Sequence, residues 1–135
     1  MRGFAYRDSG PRRGDMDAEG REWVGLYWAG RIAVFDPNKP AVKEYPLISG
    51  NEPYTPPFPS PYTVAVDDKN QTVWTTDFNS SRMYRIDMKT GQSTEFLMPS
   101  PYEIRDLTVD RTASRPTVWI PAYRPASRMV KVQVR

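Results

Sequence analysis

The side chains able to do chemistry here are carboxylates, arginines and aromatic rings. The chain has 135 residues with no Cys and no His. That removes thiol nucleophiles, cysteine–zinc sites, His-based triads and the usual acid–base residue near neutral pH. Asp77 is the foremost single candidate, because it follows Thr75 and Thr76 at the end of an apolar run with Asn79 two residues on. Asp77 and Asn79 offer oxygen ligands of the kind that Ca²⁺ or Mg²⁺ takes. Two such ligands are too few for a closed site, and the plainer reading is an Asp capping the turn Asp-Phe-Asn-Ser-Ser. Read as a surface group, Asp77 should be replaceable by Ala with folding nearly intact.

Rings and guanidinium groups supply the second candidate. Tyr27, Trp28, Tyr62, Tyr102 and Tyr123, with Arg12, Arg82 and Arg124 nearby, would suit a planar or anionic ligand or a sugar ring. Packing between repeated units is the competing use of the same rings. The pairs Asp67/Asp68, Asp15/Asp17 and Asp106/Asp110 tempt a carboxylate-pair mechanism, which needs a defined separation across a cleft. Each instead ends a β-prone run shortly before a Trp, so turn and cap duty is expected. Lys and Arg total 19 against 16 acids, a net charge of +3. No block of five like charges occurs, so no nucleic-acid partner is expected.

The elements that must position these groups are short strands. Fourteen Pro and eight Gly argue against long helices, since Pro in a helix interior costs about 3 kcal/mol. The chain also repeats itself. Trp23, Trp74 and Trp119 stand 51 and 45 residues apart, each preceded by a Pro, a β-prone run and an Asp. After the Trp, Gly30-Arg31-Ile32-Ala33-Val34-Phe35-Asp36 parallels Ser81-Arg82-Met83-Tyr84-Arg85-Ile86-Asp87, and Ser127-Arg128-Met129-Val130-Lys131-Val132-Gln133 follows in the last copy. Glu44-Tyr45-Pro46-Leu47 then matches Glu95-Phe96-Leu97-Met98. A repeated position is a structural one, so all three Trp are expected in the core.

Each repeat reads as four antiparallel strands with turn chemistry between them, the size of a β-propeller blade. The fold class is therefore all-β, a partial propeller over residues 1–135 with about three blades' worth of strands. Residues 4–10 are expected as the fourth strand of a preceding or closing blade, 11–50 as one blade, and 51–60 as a Pro-rich, extended inter-blade loop. Residues 61–100 make a second blade, and 101–135 a third that lacks its fourth strand. Three blades fall short of a ring, which takes about four to eight. Either further blades complete it, as the divergence among the repeats favours, or a second copy does.

The elements Gly30-Arg31-Ile32, Phe35-Asp36-Pro37, Glu44-Tyr45-Pro46-Leu47 and Ser81-Arg82-Met83 through Asp87 resemble the blades of streptogramin (virginiamycin B) lyases, which are related to NHL and SMP-30/gluconolactonase-type propellers. The resemblance spans about residues 4–134. It implies a lactone-opening elimination, with a His base and a divalent cation (Mg²⁺ or Ca²⁺) held by acidic side chains near the central channel. The family's Thr-Glu pair is matched here by Thr76-Asp77, with Tyr27 and Tyr123 in that slot of the other copies. The family's His slot is filled by Tyr62, Tyr102 and Arg12. This chain cannot supply the His base that the resemblance implies, since it has no His. Two readings follow: a scaffold that binds a small molecule or protein at the channel mouth through Tyr27, Tyr62, Asp77, Asn79, Arg82, Tyr102 and Tyr123, or part of a lyase- or lactonase-type enzyme whose catalytic residues lie in other blades. A periplasmic or extracellular setting is implied by the resemblance alone. Met1-Arg2-Gly3-Phe4 lacks the apolar core of an export signal, and no run of about eighteen apolar residues suggests a membrane span.

Overall fold

The computed structural model describes residues 8–47, 59–125 and 127–134, with the side chain of Pro40 left out. The expected strand at Phe4–Arg7 and most of the Pro-rich segment lie outside the described residues. Twelve strands build three antiparallel sheets. The first contains β1 (Pro11–Met16), β2 (Glu22–Leu26), β3 (Arg31–Asp36) and β4 (Lys39–Pro46). The second contains β5 (Pro61–Asp67), β6 (Thr72–Asp77), β7 (Arg82–Asp87) and β8 (Ser93–Leu97). In both, sequence order is spatial order.

In the third sheet the innermost strand is broken into β9 (Glu103–Ile104) and β10 (Thr108–Val109), both paired with β11 (Thr117–Arg124), which pairs in turn with β12 (Arg128–Gln133). The break falls where the Asp106 carboxylate accepts a hydrogen bond from the next backbone N–H, that of Leu107, at 3.0 Å. Such local bonds draw the backbone away from a strand ladder. Among the described residues nothing pairs with the far edge of β12, and no helix is long and apolar enough to cross a membrane.

Side chains alternate across each sheet, so each sheet has two faces. The face carrying Trp23, Ile32, Val34 and Tyr45 packs on Val64, Val66, Val73, Tyr84 and Ile86 of the second sheet. The face carrying Trp74, Met83 and Phe96 packs on Ile104, Val109, Val118, Ile120 and Val132 of the third. Trp23 and Trp74 are both buried, and each lies near the aromatic ring of the fourth strand, Trp23 to Tyr45 at 6.0 Å and Trp74 to Phe96 at 5.8 Å. Trp119 breaks the expectation of three core Trp, since it is 36% exposed. It points from the outer face of the third sheet, where the described residues place no further sheet.

The innermost strands of the three sheets face one another. The Val66 N–H donates to Asp15 across the first pair at 2.9 Å, and the Thr63 hydroxyl reaches Asp106 across the second at 3.4 Å. Between them lies a cavity of about 400 Å³ bordered by Arg13, Asp15, Thr63, Asp106 and Arg111. This is the wall of a propeller channel, and it mixes these polar side chains with Val64, Ala65, Leu107 and Val109.

At the end of the sheets where first strands meet second strands, acids hold the turns. Asp17 accepts from the N–H groups of Glu19 and Arg21, from the Arg21 guanidinium at 2.7 Å and from the Trp23 indole at 2.8 Å. Asp110 does the same for Thr112, Ala113 and the Trp119 indole. Asp67 holds Asn70 instead, and the buried Trp74 indole N–H has no partner among the described residues.

Candidate functional site

The opposite end of the sheets is where first strands begin and second strands end. Cross-strand register shows which residues share a place there. Pro11 faces Leu26, Pro61 faces Asp77 and Ile104 faces Ala122. The residues one step on therefore correspond: Arg12, Tyr62 and Arg105 on the first strands, and Tyr27, Phe78 and Tyr123 after Leu26, Asp77 and Ala122. Two corrections follow. Tyr27 and Tyr123 share their position with Phe78, not with Asp77. Arg105, not Tyr102, is the third-sheet counterpart of Tyr62, because the third sheet's first strand runs three residues later than the Pro-Tyr match suggests.

These six positions form one ribbon of rings and guanidinium groups. Tyr27 and Tyr62 lie 6.1 Å apart edge to face, and Tyr62 and Phe78 lie 5.3 Å apart. The Arg12 guanidinium stands 5.1 Å from the Tyr27 ring and 6.0 Å from Tyr62, and Arg13 stands 5.7 Å from Tyr62. Further round, Arg105 stands 5.7 Å from Phe78 and 4.8 Å from Tyr123, and Arg124 stands 5.3 Å from Tyr123. Each is within cation–π range. Tyr27, Tyr62 and Phe78 are half-buried, while the Arg side chains reach solvent. Trp28 sits edge-on to Tyr27 at 4.5 Å and is 61% exposed. Its ring lies where a Cβ on Gly10 would be, and Gly10 has a φ of +62°, so glycine is required there.

Charge at this mouth is unbalanced. Arg13 pairs loosely with Asp106 at 3.6 Å, and the Arg105 Nε donates to Glu103 at 2.6 Å. Among the described residues no carboxylate pairs with Arg12 or Arg124. An anionic group entering the mouth would meet guanidinium donors backed by ring faces.

The other expected site residues stand elsewhere. Asp77 is not a surface group, since it is 4% exposed. One carboxylate oxygen accepts from the N–H groups of Ser60 and Asn79, both at 3.0 Å, and the other accepts from the Ser80 hydroxyl. Asp77 thus ties the start of β5 to the turn after β6, and its lone pairs face protein donors. Asn79 is an exposed member of that turn. Among the described residues no three metal-ligating side chains converge. Arg82 lies on the third strand, away from the channel, where its Nε donates to Glu95 at 3.1 Å. Arg31 and Glu44 repeat that pairing at 4.0 Å in the first sheet. Tyr102 is 8% exposed within the apolar layer between the second and third sheets. It is removed from the mouth because its ring is needed to fill that layer.

Phe78, Arg13 and Arg105 are mouth residues that sequence reasoning missed. The signal was present for Phe78: each repeat Trp is followed four residues later by an aromatic, Tyr27, Phe78 or Tyr123. Arg105 carried no such signal, because the break in the first strand shifted its register.

The three stacked four-stranded sheets with a common channel wall define the class: these are blades of a β-propeller. The arrangement is similar to virginiamycin B lyase of Staphylococcus aureus, with a TM-score of 0.67 at 18% identity over 97% of this chain and 43% of the lyase chain. A form of that lyase with quinupristin matches with a TM-score of 0.69 at 17% identity, again over 97% of this chain and 43% of that one. Hydrazine synthase of Kuenenia stuttgartiensis matches with a TM-score of 0.67 at 12% identity, over 90% of this chain and 32% of that chain. At such identities the likeness is one of fold. The chain spans less than half the length of the lyase structures. No protein-family model matches the sequence, and no curated protein matches it.

Proposed function

We propose that this chain is the ligand-binding part of a β-propeller, and that its mouth takes a planar ligand carrying negative charge. The observation that carries this reading is the ribbon Arg12–Tyr27–Tyr62–Phe78–Arg105–Tyr123, in which guanidinium groups flank half-buried rings. Rings supply stacking area at low entropic cost, and Arg supplies bidentate donors to a carboxylate or phosphate. The ligand is a small molecule or the acidic side chain of a protein partner. An extracytoplasmic setting belongs to the same reading. Its support is the fold likeness to the extracellular domain of a one-component system of B. thetaiotaomicron, with a TM-score of 0.60 at 16% identity over 86% of this chain and 14% of that one.

Trp28 offers the readout, since it is exposed and touches Tyr27. Titration with benzoate or phenyl phosphate should change its emission, and benzyl alcohol should do so far more weakly. Rising salt should weaken the charged ligands, because the guanidinium groups are open to solvent. Equal response to all three compounds would contradict the reading.

A second reading makes the chain part of a lyase- or lactonase-type enzyme, and the fold likeness to virginiamycin B lyase favours it. With no His in the sequence, the base for that chemistry would come from other blades. Lactone turnover by the longer protein, abolished by substitutions outside these residues, distinguishes it from the first.

A further inference from the structure

The two interfaces between neighbouring sheets follow one plan and are filled differently. In each, the indole of the second strand lies near the ring of the fourth, Trp23 near Tyr45 and Trp74 near Phe96. Between those strands, the third-strand residue opposite the indole is Arg85 in the second sheet and Val34 in the first. The Arg85 guanidinium stands 5.9 Å from the Trp74 ring and 5.8 Å from Phe96, so it fills the space beside that ring pair. Val34 is too short to do so. It lines a cleft of about 540 Å³ between the first and second sheets, toward their outer flank. That is the size of a small-molecule site. The next residue in the row, on the fourth strand, is Lys43 where the second sheet has Thr94. The cation has thus moved one strand outward, from the floor of an interface to the rim of a cleft.

Packing fixes the walls of this cleft. Val34 and Met88, from the two facing sheets, are buried. A Cβ on Gly91 would collide with the Tyr45 ring, so the turn after β7 needs glycine to let that ring lie against it. Most charges around the cleft are engaged. Arg21 is bound to Asp17 at 2.7 Å and to Glu19 at 3.4 Å, and Lys39 to Asp36 at 3.7 Å. Lys89 lies in the field of Asp87. Glu44, beside Lys43 in the chain, points to the other face of the sheet, where it meets Arg31 at 4.0 Å. Lys43 is the exception. It has no carboxylate partner among the described residues, and its ammonium stands 5.7 Å from the Tyr45 ring.

We propose that this cleft is a ligand site separate from the mouth, and that it takes a small monocarboxylic acid with a bulky apolar body. The body lies against Val34, Met88 and Tyr45, and the carboxylate meets the Lys43 ammonium. One free cation suits one negative charge, and the nearby Glu19 and Asp36 repel a second. Both walls are described sheets of this chain, so the site does not depend on what lies beyond them. Nor does it depend on the reading of the mouth.

Titration with 1-naphthoate, followed by the methyl resonances of Val34 and Met88, tests it. The wild type should show saturable shifts at both methyl positions, and the neutral analogue 1-naphthalenemethanol should bind about tenfold more weakly. Lys43→Thr, which gives the second sheet's residue at that position, should also weaken naphthoate by about tenfold, the scale of one charge-assisted hydrogen bond. Val34→Arg, read by the Met88 methyl, should abolish binding by filling the cleft as Arg85 fills the other interface. Ala41→Phe, at an exposed position on the rim, provides a second block should Val34→Arg fail to fold. The response of Trp28 to benzoate should persist in Lys43→Thr, so that failure of the cleft and failure of the mouth are told apart. Absence of saturable shifts at Val34 and Met88 in the wild type overturns the proposal. So does equal binding of the neutral analogue, or binding indifferent to Lys43→Thr and to both blocking substitutions.

Discussion

The two ends of the same sheets use charge in opposite ways. At the turn end, acids are saturated by protein donors: Asp17 receives four hydrogen bonds, from Glu19, Arg21 twice and Trp23, and Asp87 receives the N–H groups of Lys89 and Thr90. At the mouth, guanidinium groups lie over rings, and Arg12 and Arg124 have no carboxylate partner among the described residues. Satisfied groups have little affinity left for a ligand, while unpaired donors beside an apolar surface do. The contrast supports the proposal that the turn end holds the fold and that the mouth, apart from the saturated Asp77, is the end that recognises a ligand.

Asp17→Ala is the substitution expected to destabilise the fold most among those that probe this contrast. The Asp17 side chain is fully buried, and its removal strands the Trp23 indole and the Arg21 guanidinium. Chemical denaturation should show a loss of about 3 kcal/mol. A loss near zero would erase the structural role of the turn end. Asp77→Ala should cost about 2 kcal/mol, because it leaves the Ser60 and Asn79 N–H groups without their acceptor. That outcome would show that the buried carboxylate at the mouth is structural rather than a metal ligand.

Acid titration sharpens the comparison further. Burial pushes the Asp17 carboxyl up, but hydrogen bonds from Trp23 and Arg21, with the Arg21 charge, outweigh it and hold the group below its ordinary value. A depressed folded-state value means that this contribution is full above the unfolded-state value and is lost as pH falls through the folded one. Asp17→Asn should therefore flatten the acid limb of the stability curve. An unchanged limb would contradict the assignment. Arg12→Ala should have the smallest effect on stability, within about 0.5 kcal/mol, as for exposed positions. A larger loss would turn the mouth into another structural end.

Much of this fold was legible in the sequence, because Trp, Asp and turn residues recur at fixed offsets and strands alternate. The mouth was half legible. Tyr27, Tyr62 and Tyr123 stand at strand ends that propeller geometry brings together. Tyr102 and Arg105 were not readable, because a break in one short strand shifts register by three residues, and a match of Pro-Tyr pairs does not register the shift. Asp77 looked like a rim acid because sequence shows its neighbours in the chain, not the Ser60 N–H that folds back onto it. Trp119 shows the same limit from the other side: repetition fixes where a residue sits in its own blade, whereas burial is set by the blade that lies on it.

The most direct test of the mouth is benzoate titration followed by Trp28 emission, in the wild type and in Arg12→Ala. The account predicts saturable binding by the wild type and a loss of roughly tenfold or more in the variant, the scale of one charge-assisted hydrogen bond. Equal affinity in the two proteins, or no saturable change in either, would contradict it.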